Sequence, residues 1–127
     1  MSGILVDTSV WVDHFRRKNA VLTTLLAIDF VLTHPLVVTE LACGTPPAPR
    51  TQTLADVGAL PVVRQASLGE VRQLIEREHL YGKGCGVVDL ILLTSALITP
   101  GARLWTLDRR LAQLAQALGV GYEPPTR

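Results

Sequence analysis

Four carboxylates of this 127-residue chain stand beside or inside apolar segments. Asp7 ends the run ILV, Glu40 lies inside LVVTELAC, Asp89 lies in the run GVVDLILLTSAL, and Asp108 follows LWTL. An ionised carboxylate in an apolar environment is costly unless it is paired or bound to a metal. These four side chains are therefore the first candidates for a functional site.

Taken one at a time, three of these acids have an ordinary structural explanation. Asp7 can cap the first helix, Asp108 can be a turn residue, and Asp89 can stabilise a helix N-terminus by about 0.3–1 kcal/mol. Glu40 has no capping role, because it is expected in the middle of a helix. Taken together, four adjacent carboxylates would repel one another, and a divalent cation would remove that conflict. Ligands that are all oxygen select a hard ion such as Mg²⁺ or Mn²⁺.

The other seven acids stand in polar or boundary contexts. They are interpreted as surface charges, with Asp13 the least certain because it lies near the end of the first strand: Asp13, Asp29, Asp56, Glu70, Glu76, Glu78 and Glu123.

Short apolar segments that alternate with helical ones predict an α/β domain with a central, mainly parallel sheet flanked by helices, an α/β/α arrangement. The carboxyl ends of parallel strands meet at one edge of the sheet, which is where such sheets bind ligands. Asp7 and Asp108 are expected at that edge, with the helical acids leaning over it. The predicted strands are Gly3–Val6, Phe30–Thr33, Leu104–Leu107, a weak edge strand at Leu60–Val63 and a short last strand at Val120–Tyr122.

The helices are predicted from apolar periodicity and end signals. Thr8 and Ser9 are good N-cap residues for the first helix. Pro35 suits a helix start and Gly44 a helix end. The predicted helices are Val10–Phe15, Val21–Ile28, Leu36–Cys43, Leu54–Val57, Leu68–Leu80, Leu111–Leu118 and Val87–Ile98, the last being apolar on every face and hence enclosed.

The bulk properties predict one cytoplasmic domain over residues 1–127, with a frayed tail at about 123–127. Hydrophobic residues make up 48%, which is enough for one core, and the charge is nearly balanced at 12 basic against 11 acidic residues. Nucleic-acid binding would therefore need local basic patches. We expect no signal peptide and no membrane span. Cys43 and Cys85 lack CxxC spacing and suit a reducing compartment.

The sequence resembles the PIN-domain ribonucleases, and most closely the VapC-type toxins of bacterial type II toxin–antitoxin pairs. LVDTSVWVDHF, TELACG, GVVDLILLTSAL and ARLWTLDRRL occur in the family's order, and the likeness runs from Ile4 to about Tyr122. It implies a parallel α/β/α sheet, Mg²⁺ or Mn²⁺, RNA cleavage, a homodimer and a cognate antitoxin. By position, Asp7, Glu40, Asp89 and Asp108 match the family's acidic quartet.

The resemblance adds two hydroxyls to the expected site, Ser9 beside the first acid and Thr106 in the T-x-D element. Hydrolysis of a phosphodiester needs an activated water and neutralisation of developing charge, and a metal supplies both. We expect Asp7, with Asp89 or Asp108, to hold the principal ion, and Glu40 to orient the attacking water or complete the shell. A second ion, about 3.5–4 Å away, is compatible with the sequence.

Basic residues flank the acids along the chain and are candidates for contacts with the RNA backbone. They are Arg16, Arg17 and Lys18 after the first helix, Lys83 in the glycine loop, and Arg109 and Arg110 after Asp108. The sequence TPPAPR, residues 45–50, carries no family signal, so the choice of RNA is not predicted.

Three other functions are compatible with parts of this pattern. An aspartyl-phosphate phosphatase would use Asp7, but Ser9 stands where its second acid belongs. A receiver-like interaction module would need adjacent acids after the first strand and a lysine where Arg109 stands. A catalytically silent PIN fold used for protein association is the third, although the complete quartet argues against lost activity.

Overall fold

The computed structural model describes residues 2–125 and contains three strands and seven helices in that range. The elements are β1 Gly3–Val6, α1 Thr8–Arg16, α2 Ala20–Ala27, β2 Val31–Leu32, α3 Pro35–Cys43, α4 Arg50–Gly58, α5 Leu68–Glu78, α6 Val87–Ile98, β3 Ala102–Trp105 and α7 Arg109–Ala117. The predicted tail, residues 123–127, lies partly outside the described residues.

The three strands form a parallel sheet in the order β2-β1-β3, which confirms the predicted α/β class. The central strand β1 is buried along its whole length, as its continuous apolar sequence predicts. Val6 pairs with Trp105 at the end of both strands, and the Asp7 N–H donates to the Trp105 carbonyl at 2.9 Å. Residues that follow β1 and β3 therefore emerge side by side at the carboxyl edge of the sheet.

Helix α6 is the enclosed helix that the sequence predicts, with the same bounds. Leu92 and Leu93 are fully buried in the core that also contains β1 and β3. Its buried hydroxyl residue Ser95 accepts a hydrogen bond from the Ala66 N–H at 3.0 Å, which ties the segment before α5 to this helix. The first turn of α6 projects from the core, where Asp89 can reach the sheet edge.

Two predicted strands are wrong. Residues 60–63 form an isolated bridge between Val62 and Thr33, since Pro61 has no N–H to donate to a ladder. Residues 120–122 likewise contribute one bridge, from Gly121 to Leu104.

The third strand ends at Trp105, not at Leu107, so Thr106 and Asp108 lie in the turn beyond it. The helix predicted at 54–57 is longer and begins at Arg50.

The prediction that Thr8 or Ser9 caps the first helix is also wrong. Both residues lie inside α1, and Asp7 occupies the N-cap position without a side-chain capping bond. The physical reason is that the polar groups of all three residues are used at the sheet edge.

Within residues 2–125, no helix combines the length and the apolar character that crossing a bilayer requires.

Candidate active site

Asp7 is the buried anchor of the site, with only 6% of its surface exposed. Its Oδ2 atom accepts hydrogen bonds from Ser9 Oγ and Thr106 Oγ1, both at 2.7 Å. The two hydroxyls in turn accept the N–H groups of Leu107 and Asp108, both at 3.0 Å. Each hydroxyl has one proton and donates it to Asp7. Because the same hydroxyls accept N–H groups of the turn after β3, that turn holds the Asp7 carboxylate in place.

Asp108 lies at the N-cap of α7 and is exposed. Its Oδ1 atom accepts the Leu111 N–H at 3.0 Å, an ordinary capping bond. The expectation that Asp108 closes a strand is therefore corrected: a turn after β3 delivers it. The structural and functional interpretations are compatible, since capping engages Oδ1 and no hydrogen bond to Oδ2 is found from any residue between 2 and 125.

Glu40 lies in the middle of α3, and Thr8 orients it from α1. The Thr8 hydroxyl donates to Glu40 Oε1 at 2.6 Å, joining residues 32 positions apart. Sequence reasoning missed this role of Thr8. The available signal was a third hydroxyl-bearing position directly after Asp7, in the tripeptide DTS.

Asp89 shows that the four carboxylates share one neighbourhood. Burial raises the pKa of Asp89 above its ordinary value, and the charges of Asp7, Asp108 and Glu40 raise it further. The Gly86 backbone opposes this increase. The structure thus brings the four predicted acids into one electrostatic group, although their catalytic roles stay predictions.

The group is not a closed coordination shell. Among residues 2–125, no three histidine, cysteine, aspartate or glutamate side chains are arranged closely enough to hold a metal ion as they stand. Mg²⁺ needs only one or two direct carboxylates and keeps several waters, so the loose spacing is compatible with it. The all-oxygen donors and the mutual repulsion at Asp89 both fit a hard divalent cation.

The predicted basic residues divide into three groups. Arg16 lines a cleft of about 350 Å³ together with Glu40. The charge of Arg110 lowers the pKa of Cys85, which the charges of Asp89 and Asp108 raise, so Arg110 also lies near the acids. Arg17 lies instead in a hollow beside Asp13 and the start of α2, together with Lys18. Lys83 and Arg109 are exposed, with no hydrogen bond or ion pair found for either in the described range.

No hydrogen bond joins Ser9 to a histidine within residues 2–125, so the structure does not support nucleophilic catalysis by Ser9. His14 Nδ1 accepts the Asn19 N–H, and His34 Nδ1 accepts the Leu36 N–H at the start of α3. Ser9 itself donates to Asp7, so the hydroxyl positions a carboxylate.

The fold and the acidic sheet edge together define the class of protein. The chain belongs to the PIN domain family, whose model matches residues 4–117.

Within that family, the chain is 44% identical over 119 residues to Ribonuclease VapC32 of Mycobacterium tuberculosis, from strains CDC 1551 / Oshkosh and ATCC 25618 / H37Rv. The match covers 92% of this chain and 94% of the relative. The fold is also similar to a chain in the crystal structure of DNA bound VapBC from Salmonella typhimurium, with a TM-score of 0.67 at 17% identity. That match covers 97% of this chain and 98% of the other.

Thr106 provides a test of how Asp7 is held. Thr106→Val keeps the shape of the side chain but removes a donor to the Asp7 carboxylate and the acceptor of the Asp108 N–H. We expect it to lower the free energy of unfolding by about 1–3 kcal/mol, measured by urea denaturation in chelator. Thr106→Ser keeps the hydroxyl and should lose much less. Equal stability of the valine variant and the unchanged protein would contradict the proposed hydrogen-bond network.

Asp89 provides a test of the charge repulsion among the four carboxylates. A carboxyl whose pKa is raised on folding destabilises the folded state when ionised, so stability falls as the pH rises from 3.8 through the raised pKa. We therefore expect Asp89→Asn to raise the melting temperature of the metal-free protein at pH 7, with the gain disappearing below pH 3.8. Glu76→Gln, an exposed charge removal on α5, is the control. A lower melting temperature for Asp89→Asn than for this control would show that Asp89 is not repelled.

Proposed function

We propose that this chain is a divalent-metal-dependent endoribonuclease and the toxin of a toxin–antitoxin pair. The observation that carries the proposal is the geometry of the sheet edge, where Ser9 and Thr106 hold the Asp7 carboxylate. The charges of the three other acids of the predicted quartet act on Asp89 at this edge. Similarity to Ribonuclease VapC32 over 92% of the chain supports RNA as the substrate. The cytoplasm, where cellular RNA lies, is the proposed site of action.

The residues proposed to hold the ion, Mg²⁺ or Mn²⁺, are Asp7, Asp89 and Asp108. When bound, such an ion supplies an activated water and Lewis-acid stabilisation of the charge that develops on the phosphate and the leaving oxygen. Asp7 is suited to this role because two hydroxyls fix Oδ2, while the described part of the chain, 2–125, contributes no hydrogen bond to Oδ1. Asp108 has a fixed position for the same reason, since its capping bond holds one oxygen.

The remaining polar residues position these groups. Ser9 and Thr106 orient the Asp7 carboxylate, and such outer partners of a metal ligand tune both its direction and its basicity. Glu40, held by Thr8, is proposed to orient the attacking water or to complete the ion's shell. Each of these positioning roles depends on a hydrogen bond between two side chains of this chain.

Cations around the acidic group are proposed to bind the RNA backbone. Arg16, Lys83, Arg109 and Arg110 are exposed, and none forms an ion pair within residues 2–125, where Arg77–Glu78 is the salt bridge found. Arg17 and Lys18 were also predicted to contact RNA, but their place beside α2 makes these two the weakest of the six candidates. Contacts of this kind bind without sequence choice and weaken with salt.

A cognate antitoxin and a second copy of the chain are the proposed protein partners. The antitoxin rests on the likeness to VapC-type toxins and is expected to insert a segment near the acids. A homodimer interface is proposed on the apolar helices, where Ile28 at the end of α2 is 62% exposed.

The nuclease proposal predicts that the purified protein cleaves single-stranded RNA in the presence of Mg²⁺ or Mn²⁺ and that cleavage stops in excess chelator. Asp7→Asn and Asp89→Asn should each lower cleavage by more than about 100-fold, since losing even an outer partner of a metal ligand costs about 10–100-fold. End-labelled RNA resolved on a denaturing gel measures the rate.

The matched control is Asp29→Asn, which removes an exposed carboxylate beyond α2 at a left-handed position that asparagine tolerates. Its cleavage rate should equal that of the unchanged protein. Activity that survives chelator, or that Asp89→Asn retains in full, would refute the proposal.

A further inference from the structure

The loop before α6 lies directly against the side chain of Arg110. A Cβ atom built on Gly84 would lie 2.7 Å from Arg110 Cδ, 2.8 Å from Nη1 and 3.0 Å from Nε. A methyl group at this position would force the arginine side chain to shift, because the guanidinium and its stem lie over the bare backbone of Gly84. This glycine is also left-handed, with φ +84°, a conformation that other residues seldom adopt.

The same contact places the arginine at the edge of the acidic group. Cys85, the residue after Gly84, has a raised pKa because of burial and the charges of Asp89 and Asp108, while Arg110 acts in the opposite direction. The guanidinium and the two carboxylates therefore act on one side chain from nearby. Arg110 therefore lies beside the loop that leads into α6 and near both Asp89 and Asp108.

The donors of Arg110 are nevertheless free for another molecule. In the part of the chain from 2 to 125, no ion pair within 4.0 Å and no hydrogen bond of its guanidinium is found, and the residue is exposed. A guanidinium carries five N–H donors in a planar fork that matches the oxygens of a phosphate. An anion arriving at the four carboxylates would need a cation of this kind.

We propose that Arg110, seated on Gly84, binds a backbone phosphate of the RNA beside the carboxylate group, and that the missing side chain at position 84 is what positions it. The inference rests on the proposed ribonuclease function and deepens it. It makes Gly84 a positioning residue, and it separates Arg110 from Arg16, Arg17 and Arg109, for which no such contact with a glycine is found within residues 2–125.

The test is the salt dependence of RNA binding, measured by fluorescence anisotropy with a labelled single-stranded oligonucleotide and Mg²⁺. Every variant carries Glu40→Gln, which removes the acid proposed to orient the attacking water but keeps the three proposed metal ligands, so that cleavage does not interfere. Arg110→Ala should weaken binding severalfold and reduce the slope of log K against log salt by about 0.7, the amount for one phosphate contact on a single strand. Arg72→Ala, an exposed arginine on α5, should leave the slope unchanged.

Gly84→Ala should cause the same loss as Arg110→Ala, because the new methyl group displaces the guanidinium. Gly82→Ala is the matched control: Gly82 also has a positive φ, +70°, but a Cβ there would meet nothing within 4 Å. It shares the backbone strain without the collision and should keep its affinity. The double variant Gly84→Ala with Arg110→Ala should bind no worse than Arg110→Ala alone, since both changes remove one contact.

Three results would each overturn the inference. They are an unchanged slope for Arg110→Ala, equal damage from Gly82→Ala and Gly84→Ala, and an additive loss in the double variant. If Gly84→Ala fails to fold in a melting experiment, the slope for Arg110→Ala still decides, because that side chain is exposed. Failure of the nuclease proposal is seen separately, as intact RNA after incubation with the unmodified protein and Mg²⁺.

Discussion

The hydrogen bonds that Ser9 and Thr106 donate to one oxygen of Asp7 are the interaction on which the site depends. They join the residue after β1 to the residue after β3, and they hold a buried carboxylate where three other acids can act on it. Charge-assisted bonds of this kind are among the stronger ones in proteins. They offset the cost of keeping Asp7 buried, which the apolar surroundings would otherwise impose.

The fold produces this arrangement by simple means. Parallel pairing of β1 with β3 brings the carboxyl ends of the two strands to one edge of the sheet. Helix α1 follows the first of these ends and helix α7 follows the second. The third acid comes from the first turn of α6 and the fourth from the middle of α3, where Thr8 holds it. The charges of Asp7, Asp108 and Glu40 raise the pKa of Asp89, so the edge contains a charge repulsion that a cation would relieve. The loose spacing of the acids leaves room for the waters that Mg²⁺ keeps when carboxylates hold it.

Sequence reasoning predicted the parts of the site that depend on chain topology. A buried strand that ends at Asp7, an enclosed helix with one acid in its first turn, and an acid after a late apolar run were sufficient to predict convergence at one edge. The turn chemistry was not predictable in the same way. Thr8 and Ser9 have the residue types of helix caps, and only the three-dimensional neighbours show that their hydroxyls face carboxylates instead. The contact of Arg110 with Gly84 was also not predictable from the sequence. The two residues are 26 positions apart, and a glycine-rich loop indicates a flexible segment, with no sign of which side chain lies against it.

The central claim is that the four carboxylates form one cation site anchored by Asp7. Binding of Mn²⁺ to the purified protein, followed by electron paramagnetic resonance in parallel with Asp7→Asn, tests it most directly. The account predicts saturable binding by the unchanged protein and a large loss of affinity in the variant. Equal binding by both proteins, or no binding by either, would contradict it.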